Sequence, residues 1–391
     1  GAPLGEDEIK LTKRALGFDE NQSFVVPERV RALFADRAKR MHGLANRWRR
    51  GFKAWQAAHP EQAVAWRRHT SGELPENLEA VLPSFDVSKP LAKRSASGVV
   101  INALVAAMPQ LVGGSADLAP STMTWIKSSK GVSPGDFSGS NLHFGIREHA
   151  MASVMNGMLL HGGFRVFGAT FFVFADYCRP SLRLAALMGL PAIYVFTHDS
   201  FYVGEDGPTH EPVEQLSSLR GMPGMTVIRP ADPTETAAAW MAALKNTGGP
   251  TALLLTRQNM QVIDRSVYPC ACNLERGAYT LWQSGTGTPD LLLLATGSEV
   301  ELALAAAKQL AGANVRVVSM PSWELFESQP PAYRDSVLDP ACTRRLAIEA
   351  GVSFGWERYL GKSGRMIALD RFGTSGPYKD LAKRFGFTVE N

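Results

Sequence analysis

Cysteine is scarce in this chain. Its four cysteines among 391 residues, Cys178, Cys270, Cys272 and Cys342, are too few and too scattered for a disulfide framework. Cys270 and Cys272 stand one residue apart with no His or further Cys cluster nearby. That argues against a metal site and for two reduced thiols in a loop, in a reducing, cytoplasmic compartment. No run of about 18 uncharged apolar residues occurs, so no segment reads as membrane-spanning. The start lacks a signal-peptide pattern. Repeats and low-complexity tracts are missing too. Charge of one sign is barely in excess, at a net +4. The chain opens on Gly1 rather than Met, which reads as a processed or truncated end.

What is present suits two or three α/β domains: 45% hydrophobic residues over this length. The one strongly basic stretch runs from Arg29 to Lys53, where nine Lys or Arg face a lone Asp36. Within it Val30, Leu33, Met41, Leu44, Trp48, Phe52 and Trp55 recur at helical spacing. A solvated basic face over an apolar packing face explains the run, and no nucleic-acid fold signature accompanies it.

Residues 1–90 read as a helical linker segment closing on a Pro- and Ser-bearing stretch, Leu82 to Pro90. Residues 91–265 alternate helical runs (Val99 to Met108, Arg147 to His161) with short buried strands (Phe164 to Thr170, Ala192 to Thr197, Thr251 to Leu255). That alternation implies a parallel sheet. Residues 266–285, rich in turn residues, read as a linker. A second parallel-sheet α/β domain follows over 286–391, with strands at Leu291 to Ala295, Val315 to Val318 and Arg345 to Glu349, and a helix at Glu299 to Leu310.

Several loops carry chemistry. Thr296-Gly297-Ser298-Glu299 joins a strand to a helix, and fits either an anion site made of backbone N–H groups or a plain capped turn. Gly113 to Ser121 offers close backbone approach with Ser115, Asp117 and Ser121. Arg94, upstream, supplies a fixed cation suited to phosphate. Glu148 sits at a helix start, as a dipole-complementing residue or as a buried acid that shares a proton with a ligand. Phe171, Phe174 and Tyr177 share one helical face, either for core packing or as a platform for a flat heterocycle. His198-Asp199 and Gly204 to Pro212 follow a strand end, where α/β proteins bind ligands. Their two histidines and four acids match no zinc or calcium spacing, so polar substrate binding with acid–base work is the better reading.

Gly-Gly-Ser-Ala-Asp-Leu-Ala-Pro-Ser (113–121), Gly-Ile-Arg-Glu-His (145–149), Thr-His-Asp-Ser (197–200) and Gly-Glu-Asp-Gly-Pro-Thr-His-Glu-Pro (204–212) occur in this order. With Arg229-Pro230-Ala231-Asp232 and Thr256-Arg257-Gln258-Asn259, they resemble transketolase over essentially the whole chain. The resemblance implies thiamine-diphosphate-dependent transfer of a two-carbon ketol unit from a ketose phosphate (the xylulose 5-phosphate class) to an aldose phosphate (the ribose 5-phosphate class). It implies a cytoplasmic homodimer of the pentose phosphate pathway. Glu148 would hydrogen-bond the cofactor's aminopyrimidine and favour the imino tautomer that takes the thiazolium proton. Phe171 and Phe174, with Tyr177 beside them, would border that ring, and Asp117 would line the pocket at the dimer interface. His198, Asp206 and His210 would meet the sugar's hydroxyls and carbonyl. Arg94, Ser121, His210 and Arg257 would hold its phosphate.

The same family places metal and diphosphate contacts, an Asp/Asn pair and a Gly-Asp-Gly motif, in an N-terminal domain, and a further helix after the position of Asn391. None of these is found in the sequence. The expectation is therefore a chain without the N-terminal diphosphate-binding domain, a truncated or proteolysed piece. It would dimerise, would be inactive alone, and would not itself bind the thiamine diphosphate and Mg2+ or Ca2+ of the whole enzyme. Two other classes fit the same motifs: a related enzyme such as dihydroxyacetone synthase, and a non-catalytic assembly module or subunit of a split transketolase.

Overall fold

The computed structural model describes residues 2–391. The chain forms two compact units that divide between Arg67 and Arg68. The first holds the helices Glu6–Ala15 and Glu28–Ala58 and most of Pro60–Ser71. No residue of these helices is buried. Of the expected apolar stripe, Val30, Met41, Phe52 and Trp55 are half-buried, while Leu33, Leu44 and Trp48 are exposed. Trp48, Phe52 and Trp55, spaced at i, i+4 and i+7, stack with ring centroids 4.9 and 5.6 Å apart, as neighbours on one helical face do.

The second unit carries two α/β layers. Its six-stranded sheet is wholly parallel, in the order Asn141–His143, Leu111–Ser115, Arg165–Phe171, Ile193–Thr197, Thr251–Leu255, Thr226–Ile228. Its strands are apolar on both faces because helices cover both. Phe167, Ala169, Ile193 and Val195 enter one core with Val100, Leu104 and Trp240. Their neighbours Val166, Tyr194 and Phe196 enter the other with Met151, Met155 and Leu182. This is the period-two alternation of a strand read twice. Gly114 sits where only glycine fits, since a Cβ there would collide with the Leu142 carbonyl of the neighbouring strand.

The second sheet has the order Arg365–Ile367, Arg345–Ile348, Leu291–Ala295, Val315–Ser319, Tyr279–Gln283. All its pairings are parallel except the last. Tyr279–Gln283 thus forms an antiparallel strand inside the stretch read as linker. Its signal was there: Tyr279 and Leu281 are buried in alternation, between Gly277 and the Ser284-Gly285 turn. A second correction concerns the thiols. Cys270 and Cys272 are joined in a disulfide rather than reduced. The turn into a short helix at Ala271–Arg276 brings their Cα atoms to 5.2 Å, inside the range a disulfide spans. Cys178 and Cys342 are free and buried. Among the described residues no helix is long and apolar enough to cross a membrane.

Candidate active site

The residues singled out from sequence follow the carboxyl ends of the parallel strands, where open α/β sheets bind ligands. Asp117 follows Leu111–Ser115. Glu148 follows Asn141–His143 and is the first residue of the helix Glu148–His161. Phe171 ends its strand; Phe174 and Tyr177 continue onto the helix Ala175–Leu187. His198 follows Ile193–Thr197, and Arg257 follows Thr251–Leu255.

Seven of them converge. The His198 ring lies over Phe171, centroids 3.7 Å apart. Phe171 stacks with Phe174 at 6.0 Å and an interplanar angle of 12°. His210 meets both edge-on, at 6.3 and 5.5 Å, and Tyr177 adjoins Phe174 at 5.8 Å. Arg94 Nη1 lies 3.5 Å from His198 Nε2 and donates to the Ser121 carbonyl oxygen at 2.8 Å. Ser121 joins the group through its backbone carbonyl.

The group gathers two arginines and a histidine. Burial, then the nearby charge of Arg257, lowers the pKa of Arg94. The recorded acceptors of Arg94 and Arg257 are the carbonyls of Ser121 and Val203, not carboxylates. The Arg94 Nε is buried without a partner. The two guanidinium groups thus repel each other, and among the described residues neither forms an ion pair with a carboxylate. Burial, then the charges of Arg94 and Arg257, push the His198 imidazole down to about 3. It is neutral at physiological pH, with Nδ1 at 2.8 Å from the Thr197 hydroxyl. Its backbone is left-handed, φ +61°, as is that of Asp117; such strain in non-glycine residues gathers at functional sites.

The other expected residues have surroundings of their own. Asp117 is exposed and lines a pocket of about 280 Å³ with Ser115, Asn141 and His143. Glu148 is 8% exposed, and its charge reaches Cys178 on the helix Ala175–Leu187. Asp206 is exposed on the loop before His210. The neighbouring Glu211, inside a motif already singled out but given no role, is 2% exposed. Burial, with Asp206 close by, raises its carboxyl to about 7.

The anion reading of Thr296-Gly297-Ser298 fails. The turn is filled by the chain's own Arg229, whose Nη1 donates to the Thr296 carbonyl (2.9 Å) and hydroxyl (3.1 Å) and pairs with Glu299. Arg229 Nε also donates to Asp199 at 3.0 Å. Glu349 takes a two-pronged pair from Arg220, both bonds 2.8 Å.

The family comparisons bear on the whole chain. Residues 89–262 match the family described as transketolase, pyrimidine binding domain, and residues 277–388 match the transketolase-like C-terminal domain. Residues 1–75 match the transketolase thiamine diphosphate binding domain. The transketolase of Geobacillus stearothermophilus is 53% identical over the full chain, and that of Halalkalibacterium halodurans 51%.

The chain belongs to the transketolase family.

It spans 59% of the length of each of those two relatives. The crystal structure of Leishmania mexicana transketolase superposes with a TM-score of 0.93 at 41% identity, covering 100% of this chain and 57% of that one. A Pichia stipitis transketolase solved in complex with xylulose 5-phosphate gives 0.93 at 37%, covering 100% and 58%. The match over residues 1–75 overturns the expectation that the thiamine diphosphate binding domain is missing. The helices read as a linker belong to that domain's family, and its motifs were sought by signature rather than by helical pattern. The expectation that this chain binds no cofactor rested on that absence and no longer follows.

Proposed function

We propose that this protein transfers a two-carbon ketol unit from a ketose phosphate of the xylulose 5-phosphate class to an aldose phosphate of the ribose 5-phosphate class, using thiamine diphosphate. The observation that carries this is the convergence of Arg94, Arg257, His198 and His210 on a wall of stacked aromatics at the strand ends. Family membership and the transketolase structure in complex with a sugar phosphate support it.

The residues fit the pyrimidine end of the cofactor. Phe171 and Phe174 offer parallel ring faces on which a flat heterocycle gains about 0.5–1.5 kcal/mol beyond area burial. Glu148, nearly buried at a helix start, would hold a proton at a ring nitrogen. Asp117 and the pocket it lines, with Tyr177, would border the same group. Bound thiamine diphosphate supplies the electron sink for carbon–carbon cleavage. Neutral His198, together with His210, is suited to hydrogen-bond the sugar's oxygens and to move a proton at its hydroxyls. Asp206 would receive another hydroxyl. Arg94 and Arg257 would clamp the phosphate, assisted by His210 and by the Ser121 segment. Mg2+ or Ca2+ would accompany the diphosphate. Among the described residues no group of three His, Cys, Asp or Glu is arranged to hold an ion.

Residues 1–90 serve in this proposal as the helical segment, 91–265 as the pyrimidine-binding domain, 266–285 as a linker and 286–391 as the C-terminal domain. The strand Tyr279–Gln283 draws the last boundary toward Gly277. A cytoplasmic homodimer completes the reading. Val154, Leu160, Leu184 and Leu187 are 47–71% exposed on the two helices that carry Glu148 and Tyr177, an apolar face suited to a second copy. The test is an assay with xylulose 5-phosphate and ribose 5-phosphate, with and without thiamine diphosphate and magnesium. Cofactor-dependent formation of a seven-carbon ketose phosphate is expected. Its absence at saturating cofactor would overturn the assignment.

A further inference from the structure

Lys93 is an unusual residue to find wholly enclosed. Its side chain is 0% exposed, and a lysine is seldom buried to that extent without a partner. Its Nζ donates to the Pro230 carbonyl at 2.6 Å and lies 3.7 Å from Asp199 Oδ2. Its backbone N–H donates to the Thr256 hydroxyl at 3.1 Å, and the next N–H, that of Arg94, donates to the Thr256 carbonyl at 3.3 Å. Leu91 and Ala92 pair antiparallel with Met260 and Asn259. Each anchor is thus the chain neighbour of a residue in the site: Lys93 of Arg94, Thr256 of Arg257, Asp199 of His198. The same Asp199 oxygen, Oδ2, also accepts from Arg229 Nε at 3.0 Å.

We propose that Lys93 is a positioning residue for phosphate recognition, a buried cation that locks the backbones bearing Arg94, Arg257 and His198 to one another. The proposal rests on the ketol-transfer reading above and deepens it. Lys93 touches no substrate. Its side chain acts through Asp199 and the Pro230 carbonyl and its backbone N–H through the Thr256 hydroxyl, and together these fix how far apart the two guanidinium groups stand. Two arginines that repel each other need such a brace, because a bidentate clamp loses its advantage when its forks drift by an ångström.

The test compares two donors on the holoenzyme, xylulose 5-phosphate and hydroxypyruvate, which lacks the phosphate. Lys93→Met keeps the length of the side chain and leaves Asp199 paired with Arg229. It should raise the KM for xylulose 5-phosphate about tenfold while changing kcat/KM for hydroxypyruvate less than about twofold. A residue that only supports the fold would lower the active fraction and scale both donors alike; that result, or no change for either, overturns the proposal. Should Lys93→Met fail to fold, Thr256→Val removes only the hydroxyl that anchors the Lys93 N–H, and should shift the same ratio in the same direction by a smaller factor. An unmoved ratio there also overturns it. Arg257→Ala separates the two readings. If it discriminates between donors and the Lys93 and Thr256 variants do not, positioning fails and phosphate recognition stands. If it does not discriminate either, the underlying reading has failed.

Discussion

The two sheets of the larger unit end differently. Beyond the strands of the six-stranded sheet, the chain leaves arginines facing each other, a histidine in a strained backbone, and aromatic faces without a lid. Beyond the strand Leu291–Ala295 of the five-stranded sheet, the comparable turn is closed by Arg229, Glu299 and Glu349, all fully buried: Arg229 pairs with Glu299, while Glu349 accepts from the Thr296 hydroxyl at 2.6 Å and pairs with Arg220. The same α/β architecture carries the proposed ligand site where cationic groups face one another and a structural lock where opposite charges are paired. Burial opposes the Arg229 charge, but Glu299 and Asp199 outweigh it and hold the guanidinium protonated. Burial and the two neighbouring arginines drive His198 the other way, toward the neutral form.

Substitutions on the two sides should therefore fail in different ways. On the open side the largest effect is expected at Glu148. Glu148→Gln in the holoenzyme should lower kcat by about 10²–10⁴-fold, the range for losing one acid–base group, with the melting temperature and circular dichroism unchanged. Near-normal turnover at saturating cofactor would remove Glu148 from the site. On the closed side, Arg229→Met strips buried Glu299 of its ion pair and leaves buried Asp199 with only Lys93 at 3.7 Å. It should cost about 3–5 kcal/mol of stability, read by denaturant unfolding. A loss under 1 kcal/mol would mean that the turn is not a lock.

The smallest expected effect lies between the two, at Glu211, whose carboxyl is raised to about 7 by burial. A raised folded-state value means the protonated form is favoured on folding. The stability tied to that proton is complete below the unfolded value near 4.5 and is lost as pH rises toward 7. Glu211→Gln should thus stabilise the protein by about 1–2 kcal/mol at pH 8, with the gain vanishing near pH 4. An equal gain at both values would show that charge is not the cause. His198 has the opposite sign. Its depressed value contributes stability that is present above about 6.5 and lost as pH falls toward about 3.

Much of the layout was legible because the buried parallel strands are continuous apolar runs with turn residues at both ends. Thr251–Leu255 and Leu291–Ala295 were bounded to the residue. Leu111–Ser115 and Asn141–His143 were not seen as strands. The first ends in a Gly-Gly-Ser stretch that resembles a turn, the second spans three residues with an Asn and a His, and both exist only because the neighbouring strands offer register. The site's members were visible as motifs, and the resemblance supplied their roles. Their supports were not visible: Lys93 sits in an unremarkable helix start, and its partners Asp199 and Pro230 come from distant segments. The helices of residues 1–75 carried no catalytic signature, so a motif search passed over a domain that whole-chain similarity finds.

The central claim is that the open strand ends recognise a sugar phosphate while the closed ones bear load. It is tested most directly at Arg257, whose loop belongs to the first sheet and whose charge has no carboxylate recorded against it. In Arg257→Ala holoenzyme, KM should be measured for xylulose 5-phosphate and for hydroxypyruvate under the same conditions. Loss of a charge-assisted clamp worth about 1.5–3 kcal/mol should raise the first by about tenfold to a hundredfold and leave the second nearly unchanged. Equal changes for both donors would contradict the account.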